Sequence, residues 1–272
     1  TLNTRNIVLK NFSWTTNLTF AYNHNQITKL EGRPRVLDLV REAGYPHDGY
    51  PQRSLFSIPF VGLNSEGLPQ TLNEDGDITV GNINFQETIK TDYLKYEGPI
   101  DPPYIGGFEN SFKYKNIRLS VYLNYQFGNV LRLDNVFSRS YSDLSAMPKD
   151  FMDRWVLPGD EAYTNIPVIA SRGQSNNNGK LSQAYNAYNY SDERVCSGSF
   201  IRLKDITLSY DLPKRLLSNL GIGNVQFRCI ASNLLLLYSD KKLKGQDPEF
   251  FRSGGVAMPV PKQITCSIRI GF

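Results

Sequence analysis

Few residues in this chain could do chemistry, and their spacing argues against it. Its 272 residues hold two histidines, His24 and His47. Neither sits in a motif that fixes a Ser or Cys partner, so no nucleophile–base pair and no His-rich metal site is indicated. The stretch GQSNNNGKL (173–181) has the outline of a phosphate loop. Its spacing departs from G-x-x-x-x-G-K-[ST], and Leu181 stands where a hydroxyl would hold magnesium, which leaves a polar loop tip. Asp240, Asp247 and Glu249 could offer oxygens to a calcium ion. They lack the ligand spacing of a known loop and read as solvated acids. The cysteines, Cys196, Cys229 and Cys266, are odd in number and cannot all pair internally. Cys229 and Cys266 fall on the apolar side of alternating segments and read as small hydrophobes, in preference to a disulfide between neighbouring strands. These features predict no catalysis, no cofactor and no bound metal.

Three arginines carry more information. Arg118, Arg228 and Arg269 each stand on the polar side of a segment in which apolar and polar residues alternate. An arginine facing lipid at mid-depth costs roughly 2–4 kcal/mol, whereas one facing a wet lumen costs little. The alternation is therefore compatible with a membrane barrel if all three point inward, to solvent or to a body inside the barrel.

The segments that must position them are strand-like. Ile117–Phe127 places Ile117, Leu119, Val121, Leu123, Tyr125 and Phe127 on one side and Arg118, Ser120, Tyr122, Asn124 and Gln126 on the other. Phe12–Tyr22, 108–114, 225–232 and the terminal PKQITCSIRIGF alternate in the same way. Period-2 patterning puts one face in an apolar medium and the other in a polar one. In 199–211 the phase switches near Asp205, which predicts either a β-bulge there or an upper half lying above any apolar belt.

Connections come in two lengths. Lys10-Asn11 and Lys115-Asn116 read as tight turns, and 211–224 as a longer turn with one helical turn after Pro213. On the other side lie 25–52, roughly 81–103, 133–198 and 239–261, all rich in Gly, Pro, Asn and Tyr. Within 133–198, the stretch 148–156 reads as a short helix. Tracing strands alternately down and up gives about nine, with short turns on one side and long loops on the other, the layout of an outer-membrane barrel. No run of about 18 apolar residues exists, so no spanning helix is expected, which says nothing against a barrel. The formal net charge of +4 is not concentrated in any dense basic run, which argues against a nucleic-acid partner. A soluble β-sandwich that binds glycans and a small complete porin of roughly 8–12 strands are the rival readings. An odd strand count with Phe272 on the periplasmic side would put Thr1 at the outer side, an expectation that the chain continues a longer barrel.

At this point the residues carry a family. GSFIRLKDITLSYDLPKRLL (198–217), NVQFRCIASNLLLL (224–237), GQDPE (245–249) and a last strand ending in Phe272 resemble the C-terminal end of SusC/RagA-type TonB-dependent transporters of Bacteroidetes-type outer membranes. YIGGFENSFKYKNIRLSVYLNYQFGNVL (104–131) is similar to that family's paired strands, DRWVLPGDEAYTNIP (153–167) to its Trp-Pro-Gly-Asp loop, and NFSWTTNLTFAYNHNQITKLEG (11–32) to a strand with its following loop. The resemblance implies that 1–272 is the C-terminal part of an all-β, 22-stranded barrel, with 133–198 a long extracellular loop and with the plug domain and earlier strands absent. It further implies a place in the bacterial outer membrane and import of a bulky carbohydrate or peptide substrate. A SusD-like surface lipoprotein and TonB, acting through the missing N-terminal part, would be the partners. Phe272 would be the signal read during barrel assembly.

The long loops also hold the candidates for substrate or partner contact: Tyr141, Trp155, Tyr163, Tyr185, Tyr188 and Tyr190. Flat rings suit sugar faces and interface anchors. Packing of loop against loop would use the same rings.

Overall fold

The computed structural model describes residues 1–136, 149–170, 179–217, 221–251 and 261–271. In chain order the strands are β1 (Leu2–Val8), β2 (Phe12–Tyr22), β3 (Ser54–Ser57), β4 (Phe60–Leu63), β5 (Pro69–Leu72), β6 (Ile78–Thr79), β7 (Lys95–Pro99), β8 (Tyr104–Tyr114), β9 (Ile117–Phe127), β10 (Val130–Arg132), β11 (Val195–Ser197), β12 (Phe200–Asp211), β13 (Asn224–Tyr238) and β14 (Gln263–Gly271). The helices are α1 (Val36–Val40), α2 (Leu181–Asn189) and α3 (Lys214–Leu217).

These elements divide into two compact units. The first, Thr1–Asn23, Pro102–Gly128 and Gly198–Phe272, is one antiparallel sheet of seven strands in the order β1-β2-β8-β9-β12-β13-β14. Every long alternating segment of the sequence is in it. Its connections alternate in length as expected. β1–β2, β8–β9 and β12–β13 are joined briefly, while β2–β8, β9–β12 and β13–β14 are joined by long segments leaving the opposite end. Lys115 turns the β8–β9 hairpin at φ 51, and α3 forms directly after Pro213, where the fixed φ of proline favours a helix start.

The phase switch in β12 is a bulge. Leu203 pairs with Leu123 of β9 and Asp205 with Tyr122, so Lys204 is the extra residue. The same break appears against β13, where Leu203 pairs with Leu235 and Asp205 with Ser232. There Asn233 takes a positive φ of 55, a conformation that asparagine tolerates better than most residues. The bulge returns Arg202, opposite Asn124, to the face that carries Asp205 and Thr207.

The pair Gly106-Gly107 in β8 answers to its neighbours. A Cβ on Gly106 would collide with the Tyr125 hydroxyl and the Thr19 carbonyl, and one on Gly107 with the Tyr122 ring. The vacancy lets the Tyr125 hydroxyl cross β8 and donate to the Thr19 carbonyl at 3.1 Å.

The second unit, His24–Asp101 and Asn129–Ser197, is built from the long connections. It has its own core, in which Val36, Leu39, Val40, Phe56, Ile58 and Ala187 are buried. Fully burying a large apolar side chain is worth about 1.5–3 kcal/mol, enough to order what composition reads as loop. Small sheets β3-β7, β4-β5-β6 and β10-β11 belong to it. Two of its turns repeat one device. The Asn64 side-chain oxygen accepts from the Glu66 and Leu68 amides, and that of Asn73 from the Asp75 and Asp77 amides. The expected helix at 148–156 is a 3₁₀ segment, Lys149–Asp153. α2 was not legible as a helix, although Leu181, Ala184, Ala187 and Tyr188 are buried at helical spacing.

Candidate functional site

The site is the concave face of the seven-stranded sheet, where Asn17, Thr19, Glu109, Tyr122, Asp205 and Arg228 line one concavity. The strand registers order this face into rows. Nearest the short turns, Lys113 pairs with Arg118, Arg118 with Ser209 and Ser209 with Arg228. Arg269 pairs with Gln226, one step nearer the same end. Two residues further along, Ser111, Ser120 and Thr207 form an uncharged row, with the Ser120 hydroxyl 3.0 Å from that of Ser111. Two residues beyond that, Glu109, Tyr122, Asp205 and Ser232 are paired in sequence, and the Ser232 hydroxyl donates to Asp205 at 2.5 Å. At about 3.3 Å per residue the cationic and acidic rows lie about 13 Å apart.

The opposite face is largely apolar and exposed: Ile264 is 75% and Ile268 62% accessible. Trp14 stacks on Phe112 at 5.8 Å. The polar groups on this face satisfy one another. Asn110 accepts from the Trp14 indole and the Thr16 hydroxyl, both at 2.8 Å, and the Asn6 amide donates to Thr16. Pairing of this kind lowers the cost of facing hydrocarbon.

Two sequence readings are corrected here. Cys229 and Cys266 are direct cross-strand partners between β13 and β14, with Cα atoms 4.1 Å apart, and form a disulfide. Alternation placed both on the apolar side but could not reveal that they share a register position. Cys196 is free and buried. Asp247 and Glu249 are not simply solvated acids. They close on the buried Arg202 guanidinium at 2.5 and 3.3 Å. Asp240 accepts from the Lys242 amide at 2.9 Å and starts a 3₁₀ turn.

The loop aromatics do not gather into one site. Trp155 is buried, its ring over Gly67 and its indole N–H donating to Glu161 at 2.8 Å. Tyr188 is fully buried and packs edge-on to Phe60, and burial pushes its hydroxyl pKa well up. Tyr185 donates to the Val168 carbonyl at 2.8 Å, and burial pushes its pKa up to about 12. Tyr190 lies between Phe85 and the Arg132 guanidinium. Tyr163 is 91% exposed. Tyr141 and Phe272 lie outside the described residues. His47 lies edge-on to Tyr50 and tilted against Phe56. No group of three or more metal-ligating side chains exists among the described residues.

The second unit also holds buried charges that the sequence did not single out. Arg132 donates to the Ser191 and Phe56 carbonyls at 2.9 and 2.7 Å. Arg194 pairs with Asp150 at 2.8 Å. Arg132 of β10 ties the turn after α2 to β3, and Arg194 ties that turn to the 149–153 segment, an architectural task.

No family model matches the chain. Among curated proteins it is 28% identical over 299 residues to TonB-dependent receptor P26 of Formosa agariphila, covering 100% of this chain and 28% of that protein. It is 26% identical over 262 residues to TonB-dependent receptor P3 of the same organism, covering 91% of this chain and 24% of that protein. TonB-dependent receptor SusC of Bacteroides thetaiotaomicron is 25% identical over 282 residues, 97% of this chain and 25% of SusC. The chain thus spans about a quarter of the length of these relatives. Among solved structures, the RagAB peptide importer in its open-open state superposes with a TM-score of 0.70 at 22% identity, over 99% of this chain and 28% of the importer chain. A second RagAB structure gives 0.70 at 23% over the same shares. The ordered strands, the segregated turns and these likenesses converge: the chain is similar in sequence to a quarter of TonB-dependent receptors such as SusC, which are proteins of the bacterial outer membrane, and it has the fold of a barrel portion of RagAB.

Proposed function

We propose that this chain forms part of the wall of a TonB-dependent transporter that imports a bulky nutrient, a glycan or oligosaccharide, across the outer membrane. A SusD-like surface lipoprotein would deliver the cargo, and TonB would act through another part of the whole protein. The chain itself performs no catalysis in this reading. The observation that carries it is the two-faced sheet. One face is polar and concave, the other apolar and exposed, with strands joined by short turns and long connections in alternation. A soluble sandwich would bury Ile264 and Ile268, not present them in a continuous apolar face. The complete small porin fits less well, because the likeness runs to about a quarter of much longer receptors.

A peptide cargo is the second reading, because the solved neighbours are named a peptide importer and a peptide transporter. In either case Arg118, Arg228 and Arg269 face the lumen, Phe272 serves barrel assembly, and Tyr163 is the loop aromatic best placed to meet a partner. The face assignment is tested with nitroxide labels on the full-length receptor in bilayers. Labels at Ser120 or Asn124 should respond to a water-soluble nickel chelate, and labels at Leu119 or Val121 to oxygen dissolved in lipid. The reverse pattern would reject the barrel reading.

A further inference from the structure

The cross-strand disulfide lies within the exposed apolar face. Cys229 of β13 and Cys266 of β14 stand opposite each other, and both are exposed. Leu208 of β12 pairs with Cys229 from the other side, and Phe227, Ile264 and Ile268 are their exposed neighbours along the same strands. Each cysteine stands five residues from the short-turn end of its strand, Asn224 or Gly271. At about 3.3 Å per residue and a tilt of about 45°, that is about 12 Å into an apolar band roughly 25 Å tall. In the barrel reading, on which this inference rests, the sulfurs therefore sit at mid-hydrocarbon. The bond also falls where turn chemistry fixes least. Tight turns join β1 to β2 and β8 to β9, whereas residues 239–262 separate β13 from β14. A tight turn sets a hairpin's register, and a slip of one residue would put the apolar set on the wrong face. With Cys229 bonded to Cys266 one register remains, the one that runs from Asn224 opposite Gly271 to Ser232 opposite Gln263.

We infer that Cys229 and Cys266 are the substrate of a water-soluble thiol–disulfide oxidoreductase before the strands enter the membrane, and that their bond sets the β13–β14 register ahead of insertion. Access decides the order. The thiolate of one cysteine attacks the donor's disulfide, a mixed disulfide forms, and the donor's other sulfur leaves as a thiolate. The second cysteine's thiolate then attacks the chain's sulfur in that mixed disulfide and releases the donor with both sulfurs reduced. Two electrons and two protons pass from the cysteines to the donor. Hydrocarbon excludes both a charged thiolate and a folded soluble donor. The step is therefore closed to this pair once Phe227, Ile264 and Ile268 lie in lipid. The same exclusion protects the finished bond from water-soluble reductants, so the register is set once and kept.

The test follows the full-length receptor in growing cells. Thiols are blocked with N-ethylmaleimide at intervals after a pulse of isotope-labelled amino acids, and urea then separates extractable chain from chain inserted in the outer membrane. Mass spectrometry should find the linked 229–266 peptide in more than half of the extractable chain. Free thiols there, with the bond confined to the inserted fraction, would overturn the inference and point to a lipid-soluble oxidant. A second arm moves the bond. Cys266→Ser combined with Ile268→Cys offers Cys229 a partner two residues off register. Early oxidation should trap the shifted hairpin and raise the extractable fraction at least fivefold, and adding Cys229→Ala should reverse the rise. Normal insertion of the shifted pair would overturn the inference. So would a defect that Cys229→Ala does not relieve, because it would not depend on the bond. If nitroxides at Leu119 and Val121 report lipid while the bond appears only after insertion, the barrel reading stands and only the order of events falls.

Discussion

Arg202 of β12 and Asp247 of the β13–β14 connection form a nearly buried ion pair, with 5% and 10% of their side-chain surfaces accessible. Glu249 completes the clasp at 3.3 Å, and the Phe200 and Phe250 rings lie against the guanidinium. The GQDPE stretch is thereby held to the sheet through a residue that only the bulge at Lys204 brings to the correct face. Removing one partner of a buried pair costs about 3–5 kcal/mol, because it strands the other charge. Arg202→Ala should therefore expose the connection to protease. In the full-length receptor, cleavage within 241–250 should accelerate at least tenfold. Arg202→Lys should restore only part of the protection, because an ammonium lacks the fork that reaches two carboxylates.

The Cys229–Cys266 disulfide gives a mass-spectrometric prediction. Receptor purified without reductant, denatured and alkylated should carry one label within these 272 residues, on Cys196, and three labels after reduction. Three labels before reduction would show the strands unlinked. By chain entropy, closing a 37-residue separation stabilises by about 4 kcal/mol. Cys266→Ser should accordingly lower the temperature at which the barrel unfolds on a heat-modifiability gel.

Gly67 and Trp155 make a second test of packing. Gly67 has φ +74, and a Cβ there would strike the Trp155 ring. A left-handed backbone and an overpacked contact cost about 1–3 kcal/mol each. Gly67→Ala should loosen the 153–167 loop, seen as faster hydrogen exchange at the Trp155 amide, which donates to the Ile166 carbonyl at 2.9 Å. Unchanged exchange there would show that the ring moves aside at no cost.

Glu97 predicts a pH dependence for the second unit. Burial pushes its carboxyl up from the ordinary 4.5, against the pull of Lys95 at 3.6 Å, with Asp192 adding to the upward push. A carboxyl raised on folding penalises the folded state above its folded pKa, and the penalty vanishes below the unfolded value. Glu97→Gln should thus slow hydrogen exchange across Lys95–Pro99 at pH 7, and the difference should fade as pH drops below 4.5. A difference that grows on acidification would contradict this sign.

The amino-acid sequence by itself determined what is local. Period-2 alternation established the long strands and their two faces, turn chemistry separated short from long connections, and the phase switch at Asp205 located the bulge. The trace of about nine strands against seven in the large sheet shows where that logic ends. Apolar and β-prone residues in 43–103 serve short hairpins and a small core, and alternation over four residues does not distinguish them from a barrel strand. The chemistry of the site was less legible, because it depends on register. Whether Cys229 meets Cys266, or Arg118 and Arg228 flank Ser209, is decided by which residues stand opposite across a sheet. Arg202 reaches Asp247 across 45 residues of chain. The fate of the loop tyrosines likewise followed from tertiary packing. Tyr188 and Tyr163 both lie in the long 133–198 connection, yet one is fully buried against Phe60 and the other almost fully exposed. Sequence spacing records neighbours along the chain, whereas burial and charge pairing are set by neighbours in space.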